Sequence, residues 1–251
     1  MRITFPVIVT AGPLSVSAHQ IFESLAYAIG FYMYRRSRRL DGDFLPTSDR
    51  FSVIAAAAMG AALGSRILYW FEDPVFTLRH MLEPVYLLAG KTIIGGLLGA
   101  TVAVEWVKRR SGITRRTGDI FAIPIVTAMA VGRIGCFLGG LPDNTYGTAT
   151  TLPWGVDFGD GIHRHPTQLY EVLFLVSLAI WLRRPMYREG DRYRRFLMAY
   201  LAFRLAIDFL KPGVSFAGLT CLQWACAIAT LMYRRDILFL LGLAPGKISH
   251  G

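Results

Sequence analysis

Seven apolar stretches joined by short basic connections limit what this 251-residue chain can become. They cover residues 15–34, 51–70, 84–107, 119–141, 167–182, 196–210 and 216–233. At about 1.5 Å of rise per residue each can cross, or nearly cross, the roughly 30 Å hydrocarbon core of a bilayer. Apolar residues make up 53% of the chain, too many for an ordinary soluble domain of this length. The expected fold is an all-α membrane protein, a bundle of seven transmembrane helices forming a single domain over residues 1–251. Residues 1–13 lack the basic start and apolar core of a cleaved signal peptide, so the first span is expected to stay.

Lys and Arg fall unevenly on the connections. Residues 35–50 carry five, 108–116 five, 183–195 six and 234–251 three, so 19 of the 27 lie on alternate connections. The opposite side holds Arg2, Arg79, Arg164 and Lys211. The positive-inside rule puts the N-terminus outside and the C-terminus in the cytoplasm. The net charge of +10 is therefore read as juxtamembrane clusters facing anionic lipid, and nucleic acid is not an expected partner. The segment 236–245 is apolar but short and suits the cytoplasmic interface.

Arg66, Lys91, Arg133 and Arg204 lie within apolar spans. Charges at that depth are rare unless they face a partner or a watery cavity, so each marks a candidate site. Lys91, Arg133 and Arg204 come from three different spans, which points to an anionic ligand held inside the bilayer. Polar residues also recur at helical spacing: His19, Glu23 and Tyr27 share one face, and so do Tyr200, Arg204, Asp208 and Lys211. Arg204 and Asp208 can pair along their helix, whereas no acid lies within one turn of Arg133. Gly95 with Gly99, and Gly135 with Gly139, are small residues four apart that let helices approach closely. Cys136, Cys221 and Cys226 form an odd set and read as buried thiols; no metal site or cofactor is expected. The turn-rich segment 142–166, on the outer side, is long enough to be a lid or substrate platform.

Three motifs, GRIGCFLGG (132–140), RHPTQLYE (164–171) and FRLAIDFLKP (203–212), together with GSRILYW (64–70), resemble the prolipoprotein diacylglyceryl transferase family. The resemblance spans nearly the whole chain. It implies a multi-pass enzyme of the bacterial inner membrane. Such an enzyme moves diacylglyceryl from phosphatidylglycerol to the lipobox cysteine of a preprolipoprotein and releases glycerol phosphate. By motif position, Arg133 and Arg204 match arginines on which the family depends. Arg66, Gln168, Tyr170, Glu171 and Asp208 fall at its polar positions, with Asp208 in place of Glu. Arg164 and His165 belong to the same motif, and Gly95, Gly96 and Asp143 complete the expected substrate-binding set. Guanidinium groups suit a phosphodiester, whose oxygens gather charge as sulfur attacks the glycerol carbon.

The chain departs from the family in its third span. KTIIGGLLG (91–99) has Ile94 where the family carries His before two glycines. Cys136 stands where many members carry Asn, and Glu23 near a usual Tyr. The expected catalytic set is Arg133, Arg204, Glu23 for proton transfer and Lys91 for charge stabilisation, with His19 and His165 as alternative bases. Two other readings stay open: the same scaffold acting on another acceptor, or a non-catalytic phospholipid-binding or transport protein.

Overall fold

The computed structural model describes residues 4–41, 46–185 and 188–233; the apolar segment 236–245 lies outside them. The chain begins with a hairpin of β1 (Ile8–Ala11) and β2 (Leu14–Ser17) and continues into α1 (Ala18–Asp41). There follow α2 (Thr47–Trp70), α3 (Pro74–His80), α4 (Pro84–Ala89), α5 (Ile93–Arg110) and α6 (Asp119–Gly139). Then come β3 (Val156–Asp157), β4 (His163–Arg164), α7 (Thr167–Leu182), α8 (Asp191–Ile207), β5 (Ser215–Phe216), β6 (Leu219–Thr220) and α9 (Cys221–Met232). The fold is thus mostly helical, and the all-α expectation needs one correction: among the described residues three antiparallel two-stranded hairpins sit at helix ends.

The helices expose large apolar side chains that a soluble protein would cover. On α2 the buried residues are Val53, Ala56, Gly60 and Ser65, while Phe51, Met59, Leu63 and Ile67 are exposed. On α7, Gln168 and Glu171 are buried and Leu173, Val176 and Ile180 are exposed. Water penalises such a surface, whereas lipid solvates it. Among the described residues α2 and α6 are long and apolar enough to span a membrane, and α7 and α9 are shorter apolar helices.

The chain divides into two compact units. The first contains residues 1–43, 116–196 and 209–212. Its centre is α6, packed against α1 on one side and α7 on the other. Small residues set the α1 approach: a methyl group on Gly135 would meet Phe22 Cβ at 2.7 Å and the His19 carbonyl oxygen at 3.2 Å. Asp119, at the start of α6, accepts bonds from the backbone N–H groups of Gly190 (2.7 Å) and Tyr193 (2.9 Å), anchoring the start of α8. Ala122, Val126, Leu175, Leu178 and Leu182 fill the interior.

The second unit contains residues 44–115, 197–208 and 213–251. Here α2 and α5 cross at four glycines. A methyl on Gly64 or Gly60 would run into the carbonyl oxygen of Gly95 or Gly99, and the reverse holds as well. The expected packing role of Gly95 and Gly99 is therefore present, with Gly60 and Gly64 as partners that sequence reading missed.

One expected helix is broken. The span 84–107 divides at Gly90-Lys91-Thr92 into α4 and α5, with Thr92 as N-cap of α5. Thr92 Oγ1 accepts from the Gly95 N–H and donates to the Ser65 carbonyl, both at 3.2 Å, so the break is tied to α2. Gly90 fits only because it has no side chain, since a methyl there would enter the Tyr69 ring.

Candidate active site

In the first unit the last turns of α6 carry Arg133, a candidate catalytic residue. Arg133 and Cys136 lie one turn apart, with Arg133 Nη1 3.9 Å from Cys136 Sγ. The helix ends at Gly139, and Gly140 turns the chain at a φ of +65° that favours glycine. A 3-10 turn (Leu141–Asp143) then folds Asp143 back over the helix end, close to Gly139.

Arg133 finds its counterion on α7. Its Nε lies 2.9 Å from Glu171 Oε2, and both side chains are buried, at 8% and 1% exposure. GRIG and RHPTQLYE thus meet as a buried ion pair, which no local spacing could predict. Gln168 and Thr167 point to the same place from the first turn of α7. Thr167 donates to the Thr145 carbonyl at 2.7 Å, and Gln168 Nε2 donates to Thr145 Oγ1 at 3.1 Å. Thr145 in turn donates a short hydrogen bond to Asp143 Oδ2. The motif is therefore wired through one hydroxyl to the carboxylate beside Cys136.

From α1, His19 completes this end of the unit. Its Nδ1 lies 3.0 Å from Asp143 Oδ1 and its Nε2 3.8 Å from Glu23 Oε2. Tyr27 donates to Glu23 Oε1 at 3.3 Å, so the expected shared face of His19, Glu23 and Tyr27 is present. One donor atom each from His19, Cys136 and Asp143 lies within 4.8 Å of the other two. Sequence reading expected no such cluster, because it joins a helix start, a helix end and a turn.

The connection 142–166 is an ordered platform. Asp157 accepts from the N–H groups of Gly159, Asp160 and Gly161, which holds its carboxyl below the usual range. Arg164 grips Asp160 through two 2.7 Å bonds and stacks over the Tyr146 ring; this grip pushes the Asp160 carboxyl down and the guanidinium up. Tyr170 OH receives the Trp154 indole N–H at 2.7 Å and sits 3.2 Å from His165 Nδ1. Arg164, one of the expected substrate-binding residues, pairs here with Asp160 of its own loop.

The remaining expected residues lie in the second unit. Arg204 Nη2 pairs with Asp208 Oδ1 at 2.8 Å, at 6% and 3% exposure, as their spacing predicted. Arg66 donates to the carbonyls of Ala62 (3.4 Å) and Leu88 (3.1 Å), so it serves the last turn of α4. The helical face expected to join Lys91 to Ile94 is corrected: Lys91 lies at the break between α4 and α5, is exposed and precedes the first turn of α5, whereas Ile94 is 1% exposed. The N–H groups of Gly95 and Gly96, two of the expected substrate-binding residues, bond Thr92 Oγ1 and the Thr92 carbonyl.

Comparison with known proteins gives the family. The family model described as prolipoprotein diacylglyceryl transferase matches residues 6–239. This chain belongs to the prolipoprotein diacylglyceryl transferase family. A phosphatidylglycerol–prolipoprotein diacylglyceryl transferase of Bordetella avium is 32% identical over 225 residues, covering 85% of this chain and 84% of its own. One from Cupriavidus necator is 33% identical over 237 residues, covering 87% and 84%. One from Nitratidesulfovibrio vulgaris is 29% identical over 253 residues, covering 96% and 94%. Within this transferase family, the buried Arg133–Glu171 pair joins two of the motifs quoted from the sequence.

Proposed function

We propose that this chain transfers the diacylglyceryl group of phosphatidylglycerol to the lipobox cysteine thiol of a prolipoprotein, at the bacterial inner membrane. The observation that carries the reading is the buried Arg133–Glu171 pair, formed by the two most specific motifs of a chain about a third identical to transferases of that name. Seven spans with the N-terminus outside fit the basic clusters on alternate connections. This orientation puts Asp143, the platform and the start of α7 on the outer side.

In the reaction the acceptor sulfur attacks the glycerol carbon, the carbon–oxygen bond to phosphate breaks, and glycerol phosphate leaves. Charge builds on the phosphate oxygens as that bond stretches. A cation already oriented in a low-dielectric site stabilises it without reorganisation. Glu171 provides that orientation for Arg133. Glu23, half-buried and hydrogen-bonded to Tyr27, is placed to take up a proton.

The test is turnover by the purified chain with labelled phosphatidylglycerol and a lipobox peptide, in wild type and in Arg133→Gln and Arg204→Gln. Glycerol phosphate release that needs the peptide and collapses in Arg133→Gln supports the reading. Lipid cleavage without peptide modification would favour another acceptor, the alternative prompted by Ile94. Lipid binding without turnover would leave a non-catalytic protein.

A further inference from the structure

We propose that His19, Cys136 and Asp143 form a three-ligand site for a divalent transition-metal ion of the zinc class, with a fourth position open to the acceptor cysteine thiolate. The second half of this proposal rests on the transferase reading above; the first half does not.

The donor set comes first. A histidine nitrogen, a cysteine sulfur and a carboxylate oxygen are the ordinary protein ligands of zinc. Here one of each lies within 4.8 Å of the other two. His19 Nδ1 is shielded from solvent and lies 3.0 Å from Asp143 Oδ1, with Cys136 Sγ beside them, so the three donor atoms are close enough to share one ion. A directly paired imidazole and carboxylate is the competing account, and metal analysis separates the two.

The surroundings have the form of an outer ligand shell. Ligating histidines usually turn their second ring nitrogen to a carboxylate, and ligating carboxylates are themselves hydrogen-bonded. The other nitrogen of His19 faces Glu23 Oε2 at 3.8 Å. The second oxygen of Asp143 is held by Thr145, which Gln168 holds in turn. A dication offsets the thiolate and the carboxylate that bind it, the adjacent Arg133–Glu171 pair is neutral, and Glu23 lies beyond His19 with its side chain partly exposed. Gly139 makes the room, since a methyl there would press on Asp143 Cβ at 3.2 Å and His19 Cβ at 3.6 Å.

Three protein ligands with an open position are the arrangement of catalytic rather than structural zinc. An acceptor thiol entering that position is deprotonated outright by coordination, and Glu23, beyond His19, takes up the proton. The metal-bound sulfur then forms the bond to the glycerol carbon, and the electron pair of the broken carbon–oxygen bond leaves on the phosphate. The ion keeps its oxidation state throughout. The thioether formed is a weaker ligand and departs. This device would do the work of the base missing at Ile94.

The experiment uses the full chain, purified in detergent without a polyhistidine tag. Metal analysis should find about one equivalent of zinc, and cobalt(II) loading should give a thiolate-to-cobalt absorption band. Cys136→Ser should abolish the band, and Glu23→Gln should weaken metal binding by about 10–100-fold. Thermal unfolding and gel filtration establish that each variant is folded. If Cys136→Ser fails to fold, alkylation of Cys136 in the folded wild type replaces it. A missing band in folded wild-type protein, or a band that survives loss of the Cys136 thiol, overturns the site. A lipobox peptide should alter the cobalt spectrum while its serine analogue should not; equal effects overturn the open position. Full turnover by metal-depleted protein overturns the catalytic role. Absence of turnover in the metal-loaded protein, with the cobalt spectrum intact, overturns the transferase reading and leaves the site standing.

Discussion

Removing either member of the Arg133–Glu171 pair should produce unequal losses, and the inequality tests the account of the site. The two groups are 2.9 Å apart with almost no solvent access. At an effective dielectric of about 20, such a pair attracts by about 5–6 kcal/mol, against a desolvation cost of several kcal/mol per ion. Glu171→Leu leaves a guanidinium that cannot shed its proton, so it should cost about 3–5 kcal/mol. Arg133→Met leaves a carboxyl that can escape by protonation, so it should cost less. The double variant exchanges two buried charges for apolar volume and should recover most of the stability. It should still lose about 10²–10³-fold in turnover, because the cation that stabilises the leaving phosphate is gone. Denaturant unfolding in detergent and the phosphatidylglycerol assay read the two quantities on the same samples. Additive stability losses would refute the buried-pair reasoning. A double variant that keeps wild-type turnover would refute the catalytic role of Arg133.

Three further outcomes are expected. Gly64→Leu should prevent the α2–α5 crossing, because the Gly95 carbonyl already occupies the space; loss of folded protein in detergent checks this, and wild-type yield would contradict it. Thr92→Ala should cost about 0.5–2 kcal/mol by removing the N-cap of α5, measured by thermal unfolding against a neutral surface substitution. The outer platform should loosen in acid. Asp157 and Asp160 titrate below their ordinary value in the folded loop, so their stabilisation is complete above the ordinary carboxylate pKa of about 3.9 and is lost as pH falls through the lower folded values. Trp154 fluorescence should report that transition, and Asp157→Asn should remove part of it.

What the sequence made legible was periodic or local. Arg204 and Asp208 pair because they are four residues apart on a helix, and His19, Glu23 and Tyr27 share a face for the same reason. Gly135 and Gly95 mark close approaches because small residues at that spacing have few other uses. Periodicity failed where a short backbone break sets geometry. The span 84–107 is apolar throughout, and only the N-cap chemistry of Thr92 and the fit of Gly90 against Tyr69 reveal that it is two helices. Lys91 was misplaced for that reason alone.

The partner of Arg133 shows a deeper limit. A cation in an apolar run was taken to announce a ligand, yet its nearest anion is a carboxylate from another helix, 38 positions along the chain. A buried charge in a span therefore identifies a place where opposite charge must arrive, and leaves open whether a ligand or a neighbour supplies it. The decision comes from what else converges there. Arg204 has a helical neighbour that satisfies it by spacing, so its depth alone says little about a ligand. One helical turn from Arg133, Cys136 gathers an imidazole and a second carboxylate, more polar chemistry than one ion pair needs. Their presence beside an already neutralised arginine is the stronger mark of a site.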